Sequence, residues 1–205
     1  LGANLVQHHA DCEYPFRQDS NFWYLTGFDE PDSIALFLPH KDVNEQFILF
    51  VNPKDRVSEV WQGFRWGLEG AKEVFNADQS HAISEFADLL PNYLNGADEI
   101  VFPLGKNKKI DSIVVDLWEK QLENSSRSGN APSAIRPPDF YLNEMRLIKS
   151  DYEVGRMREA AQISAEAHEF VRANIYSKSN ERQLQGLIEG FFLDKGARGP
   201  AYNSI

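Results

Sequence analysis

Two short apolar runs, "SIALFLP" at 33–39 and "QFILFVN" at 46–52, constrain this chain more than any other feature. Both are rich in β-branched and aromatic residues, and the polar "HKDVNE" between them lets the chain reverse, so they predict an antiparallel hairpin. "NPKDR" then turns the chain, while "WGLEGAKEVF" and "HAISEFADLLPNYLNGA" space their apolar residues as helices do, the second closing on Gly96. "DEIVFPL" at 98–104 is a further strand. In "KKIDSIVVDLWEKQLENS" the apolar positions 110, 113, 114, 117 and 122 fall close to one helical face. Strands and helices thus interleave over residues 1–130, the pattern of an α/β layer fold.

"SSRSGNAPSAIRPPDF" at 125–140 concentrates Ser, Gly, Asn and Pro, which predicts an irregular, exposed segment and a domain boundary. Beyond it, Ser150 can cap a helix while Glu153 reaches back to the cap. That helix should run to about Ala173 with an apolar stripe at 157, 160, 161, 164, 167 and 171, and a second should follow from about 180 to 195. Two helices and the closing "KGARGPAYNSI" lack an opposing layer for their apolar faces. A first domain over 1–147 and the incomplete start of a second over 148–205 are therefore expected.

Charge and composition remove several functions. With 21 basic against 31 acidic residues the formal charge is -10, which repels a phosphate backbone, and the one dense basic cluster, "KNKK" at 106–109, reads as a solvated loop or helix entrance. No nucleic-acid partner is expected. No apolar run approaches the roughly 18 residues of a membrane helix, and no charged-then-apolar leader opens the chain, so no membrane partner is expected either. The first residue is Leu rather than Met, which leaves room for a preceding segment. The single cysteine, Cys12, can form neither an internal disulfide nor a cysteine-based zinc site, and a reducing, cytoplasmic setting is the simplest expectation.

The stretch "RQDSNFWYLTGFDEP" at 17–31 spends three consecutive aromatics on one short element. Ser20 can cap a one-turn helix and Gly27 can end it in a left-handed conformation, with Phe22, Trp23, Tyr24 and Leu25 anchored under the hairpin. Arg17 and Asp19 then fix its approach and hold the loop that carries Asp11. Cys12, beside Asp11, has no His partner at recognisable spacing and reads as a plain thiol, not a nucleophile. Of the five histidines, His8 and His9 diverge if extended, and His40, His81 and His168 lie in unrelated segments, so no metal site is expected within the chain. "FADLL", "IDSIVVD" and "DEI" offer no paired carboxylates for an acid-based hydrolase.

Four segments, "DCEYPFRQDSNFWYLTGFDEPDSIALFLP", "VWQGFRWG", "NEMRLIKSDYEVGRMREAAQISAEAH" and "GARGPAYNSI", together resemble the aminopeptidase P (Xaa-Pro aminopeptidase) family in order and approximate spacing over nearly the whole chain. "MRLIKSDYEV" alone would indicate only the wider creatinase and prolidase group. The resemblance implies an N-terminal α/β domain of the creatinase/prolidase type, with a mixed sheet and flanking helices, followed by the first helices of an α+β "pita-bread" metallopeptidase domain. It also implies two Mn(II) ions, a bridging water as nucleophile and release of an N-terminal residue ahead of proline. The family's metal ligands, two Asp, one His and two Glu, lie downstream of residue 205, so this fragment alone is expected to bind no metal and to be inactive. An intact protein of about twice this size would favour a full enzyme.

By the same resemblance, Asp11, Trp61 and Arg127 help line the substrate cleft of a neighbouring subunit, which implies a homo-oligomer, a dimer or tetramer. Trp61 would form an aromatic wall, and Asp11 and Arg127 would pair or hold a peptide terminus. Tyr202 matches a tyrosine near the reacting water. From residue type alone, Asp11 and Arg127 read equally well as surface charges, Trp61 as a partly buried side chain and Tyr202 as a core tyrosine. A stand-alone binding or oligomerisation module derived from the family is the alternative to an enzyme.

Overall fold

The first fifty residues build a hairpin, a short helix and the centre of a sheet. The computed structural model describes residues 1–128, 131–177 and 180–205, apart from the side chains at 126–128 and 177, and divides into two units, Leu1–Leu142 and Asn143–Ile205. Strands β1 (Gln7–His9) and β2 (Cys12–Glu13) pair antiparallel. Helix α1 (Ser20–Thr26) follows, and its cap is Asp19, not Ser20: the Asp19 carboxylate accepts from the Asn21 and Phe22 amides at 3.0 Å. A carboxylate suits that place because it also neutralises the helix's positive end. Gly27, at φ 67°, ends α1 as expected and returns its N–H to the Trp23 carbonyl at 2.7 Å. Phe22 is buried whereas Trp23 is exposed, so the aromatics of α1 are not all anchors.

Strands β3 (Ile34–Phe37) and β4 (Phe47–Val51) form the expected antiparallel hairpin, in the register Ile34 to Phe50 and Phe37 to Phe47. Helices α2 (Arg56–Gln62) and α3 (Gly67–Glu73) come next. The sequence pattern misses α2, whose apolar residues face out. His81 and Ala82, read as the start of a helix, instead end β5 (Gln79–Ala82), parallel to β4, and helix α4 (Phe86–Leu94) begins only after a turn of 3₁₀ helix. The sheet is therefore mixed, in the order β3-β4-β5.

Central placement explains why β4 reads "FILFV". Ile48, Leu49, Phe50 and Val51 are all fully buried, and their alternation sends Ile48 and Phe50 to one face, Leu49 and Val51 to the other. The first face packs on Phe86, Leu90 and Leu94 of α4 and on Val114; the second packs on Phe22 and Ala71. Val114 belongs to α5 (Lys108–Ser128), which follows the short strand β6 (Ile100–Val101). Each such buried side chain contributes about 1.5–3 kcal/mol.

The Ser/Gly/Pro-rich segment is not wholly irregular and exposed. Its start closes α5, Pro132 is fully buried and accepts the Trp118 indole N–H at 2.7 Å, and β7 (Ile135–Arg136) pairs parallel with β6. Composition marked the prolines and missed the bonds that tie them back. Helix α6 (Asp139–Leu147) spans the division between the units. In the second unit, α7 (Asp151–Asn174) starts with the expected box, Ser150 accepting the Glu153 amide and Glu153 accepting the Ser150 N–H at 2.8 Å. It packs on α8 (Glu181–Asp194) around buried Ala167, with Phe170 and Phe191 5.3 Å apart. Positions 164 and 171 are half-buried there, but 157, 160 and 161 of the expected stripe are exposed.

Candidate functional site

The β1–β2 tip is wholly exposed, and Ala10 adopts φ 46° to make the turn that presents Asp11. Asp11 Oδ1 lies 3.9 Å from the Cys12 thiol, and both side chains face solvent. His8 stacks edge-on with Tyr14 at 4.5 Å. The stretch 17–31 braces a different region from the one expected. Gln18, 3% exposed, accepts from the Ala3 and Asp19 amides and donates to the Phe28 and Glu30 carbonyls, so it ties the first residues to the loop before β3. Among the described residues Arg17 donates to the nearby Ser20 hydroxyl at 3.2 Å. Asp19 meets Lys106 at 2.6 Å; burial alone would raise its pKa, but the Lys106 ammonium and the Phe22 and Asn21 amides hold it below the usual range.

Helix α2 presents Val57, Val60 and Trp61, with Phe64 just beyond, on the 3–4 residue spacing of one face, and every one of them is exposed. Trp61 is 86% exposed, which rules out a core role within this chain. No side chain of α2 is buried. The helix is held by polar groups instead. Asp55 caps it, Glu59 accepts the Arg65 N–H at 3.0 Å, and the Arg65 guanidinium donates to Gln62 and to the Pro53 carbonyl. From outside this segment, Glu30 Oε1 accepts the Trp66 N–H at 2.5 Å. Glu30 is 9% exposed, and its Oε2 is buried without a hydrogen-bond partner among the described residues. Burial pushes its pKa up, against the pull of the Trp66 amide. Burial raises Asp32 too, opposed by Arg65.

Arg127 falls on the backbone of α5, but its side chain lies outside the described residues. Tyr202 is 78% exposed within these 205 residues. It belongs to the second unit, Asp11 and Trp61 to the first. Among the described residues no three His, Cys, Asp or Glu side chains converge as metal ligands. His81 Nε2 lies 2.7 Å from the Tyr93 hydroxyl, which donates to Gln79, and His168 Nδ1 lies 2.7 Å from the Ser164 carbonyl. The donor groups described here therefore do not fit a dinuclear centre. Glu30 and Gln18 escaped sequence reading; the available signal was "RQD" and "FDEPD" flanking a capped aromatic helix, two buried-polar partners that only the fold brings together. Among the described residues no helix is long and apolar enough to cross a membrane.

Comparison with known proteins gives this arrangement its family. Residues 1–102 match the family model "Aminopeptidase P, N-terminal domain", and residues 155–205 match "Metallopeptidase family M24". The Xaa-Pro aminopeptidase of Escherichia coli is 36% identical over 205 residues, 100% of this chain and 46% of that protein. That of Haemophilus influenzae is 38% identical over 201 residues, 97% of this chain and 44% of that protein. The chain thus spans about half the length of the curated relatives it matches. Zinc-substituted E. coli aminopeptidase P, solved in complex with product, superposes with a TM-score of 0.88 at 35% identity, over 100% of this chain and 46% of that one. Pseudomonas aeruginosa aminopeptidase PepP gives 0.89 at 34%, with the same coverage. Matched along its whole length in both sequence and fold, the chain belongs to the aminopeptidase P family, as its N-terminal α/β domain and the start of its M24 metallopeptidase domain.

Proposed function

We propose that this chain is the N-terminal part of an Xaa-Pro aminopeptidase that releases the N-terminal residue of peptides with proline second, using two Mn(II) ions. The observation that carries the reading is the match of 100% and 97% of this chain to part of two relatives bearing that name, at 36% and 38% identity. The metals supply the activated water, and their ligands lie outside these 205 residues, whose described donors do not fit such a centre. The chain alone is then inactive and binds no metal tightly. The domains divide at 147/148, the intact protein is cytoplasmic, and it assembles as a dimer or tetramer.

In this reading Trp61, Asp11, Arg127 and Tyr202 contact substrate. An indole face as exposed as that of Trp61 can take a proline ring or an apolar side chain, burying area on both partners. Asp11 can hold a peptide's ammonium and Arg127 its carboxylate. Trp61→Ala in the intact enzyme should then lower kcat/KM for longer Xaa-Pro peptides about five- to 150-fold, the equivalent of roughly 1–3 kcal/mol. The shortest substrates should change less, and the melting temperature should not move. Equal loss on all lengths, or none, refutes the role of Trp61. Absence of Xaa-Pro cleavage by the intact, Mn(II)-loaded protein refutes the activity, and would favour the binding-module alternative.

A further inference from the structure

We propose that Glu30 is the positioning residue for α2: by holding the Trp66 N–H, its buried carboxyl sets where that helix carries Trp61. The functional half of this proposal rests on the reading of Trp61 as a substrate wall; the structural half does not. A helix with no buried side chain cannot be oriented by apolar packing. Its placement must come from its ends. The hydrogen bonds of Asp55, Glu59 and Arg65 stay within residues 53–65 and shape the segment, while Arg65 reaches Asp32 only through its charge and Asn52, ahead of the helix, donates to the Pro31 carbonyl at 3.2 Å. The Glu30 bond, in contrast, reaches across 36 residues of sequence to the loop before β3. That loop is itself fixed, since Gln18 and Ser33 both donate to the Glu30 carbonyl.

The joint between α2 and α3 carries this contact. Gly63 and Gly67 flank it at φ 89° and 65°, positive-φ conformations that glycine adopts without the strain a side chain would bring. The Trp66 ring packs against Phe75 at 5.4 Å, which fixes the α3 side. Glu59 and Glu30 take the two successive amides of Arg65 and Trp66. The charged groups acting on Glu30 are Asp29 and Glu59, which oppose its ionisation, and Arg65, which favours it. Glu30 keeps one oxygen at work while the other stays buried without a partner among the described residues. A side chain serving packing alone would be better apolar at that place. The bond to Trp66 accounts for the carboxyl.

Amide hydrogen exchange and kinetics of the intact protein test this with Glu30→Ala and Glu30→Gln. Glu30→Ala should speed exchange across 56–66 about tenfold or more while the β4 amides stay protected. Glu30→Gln keeps an acceptor and should preserve the protection. If Glu30→Ala does not fold, Glu30→Met, which fills the space without an oxygen, replaces it. With longer Xaa-Pro peptides, Glu30→Ala should raise KM about fivefold with kcat within about twofold, and should add nothing in a Trp61→Ala background. Unchanged exchange at 56–66, acceleration spread equally into β4, or additive effects with Trp61→Ala overturns the proposal. If Trp61→Ala alone leaves kinetics unaltered, the substrate reading of Trp61 fails, and the exchange pattern by itself decides for or against Glu30 as the latch.

Discussion

Helices α1 and α2 are both seven residues long, both are capped by an aspartate, both end at a glycine of positive φ, and they are held in opposite ways. α1 drives Phe22 into the cluster beneath the sheet and adds an ion pair from Asp19 to Lys106. α2 buries nothing and hangs from carboxylates. Burial makes α1 part of the scaffold. Polar fastening leaves α2 free to spend its apolar face, Val57, Val60, Trp61 and Phe64, on something outside the unit.

The comparison breaks most sharply at its apolar residues. Phe22→Ala should cost about 3–5 kcal/mol and lower the melting temperature by roughly 10 °C, whereas Val60→Ala should stay within about 0.5 kcal/mol. Thermal melts of the two variants check this, and equal losses would erase the distinction. Next comes the joint. A Cβ at Gly67 would lie 2.7 Å from Lys54 Cγ at a φ of +65°, so Gly67→Ala should cost about 1–3 kcal/mol, while Gly63→Ala, with nothing within 4 Å, should carry only the strain of its φ.

The caps come third. Asp19→Ala should cost about 1–2 kcal/mol, and Asp55→Ala less, because the second side-chain partner of exposed Asp55 is the neutral Ser58 hydroxyl, whereas that of half-buried Asp19 is the Lys106 ammonium. Since the folded pKa of Asp19 is depressed, its contribution is complete above the unfolded value and is lost as pH falls through the folded one. Asp19→Asn should remove that part of the acid-side loss, measured by urea unfolding across pH. Smallest is the effect at Glu30. Its folded pKa is raised, so the stability it confers is complete below the unfolded carboxyl value and is lost as pH rises through the folded value. Glu30→Gln should flatten the fall in stability above about pH 4.5. A variant with the same slope as the wild type would place the titration elsewhere.

What the sequence disclosed follows from the same physics. The β3–β4 hairpin, α5 and the Ser150–Glu153 box were legible because their periodicity or caps are local. β5 was not: "QSHA" carries no strand pattern and exists as a strand only because β4 offers it a ladder. α2 escaped because its apolar residues point away from the core that would reveal them. At the candidate site, Asp11, Trp61, Arg127 and Tyr202 came from family resemblance, whereas Glu30 and Gln18 were invisible, since a buried polar residue is recognisable only once its distant partners are placed.

The parallel pairing of β4 with β5 has one more consequence, for how this surface can change. Residues 52–78 leave the sheet after Val51 and return at Gln79, which pairs with Ile48, so the ends of that excursion are pinned about 11 Å apart, one strand over and three residues back along it, whatever lies between. The loop-closure entropy of such an excursion grows only with the logarithm of its length, about 0.6 kcal/mol per doubling. Residues can be inserted near Gly63 while the strands keep register, because the register is read from Ile48, Leu49, Phe50 and Val51, none of which meets the insertion. For the sheet alone, chain length near Gly63 is nearly a free variable.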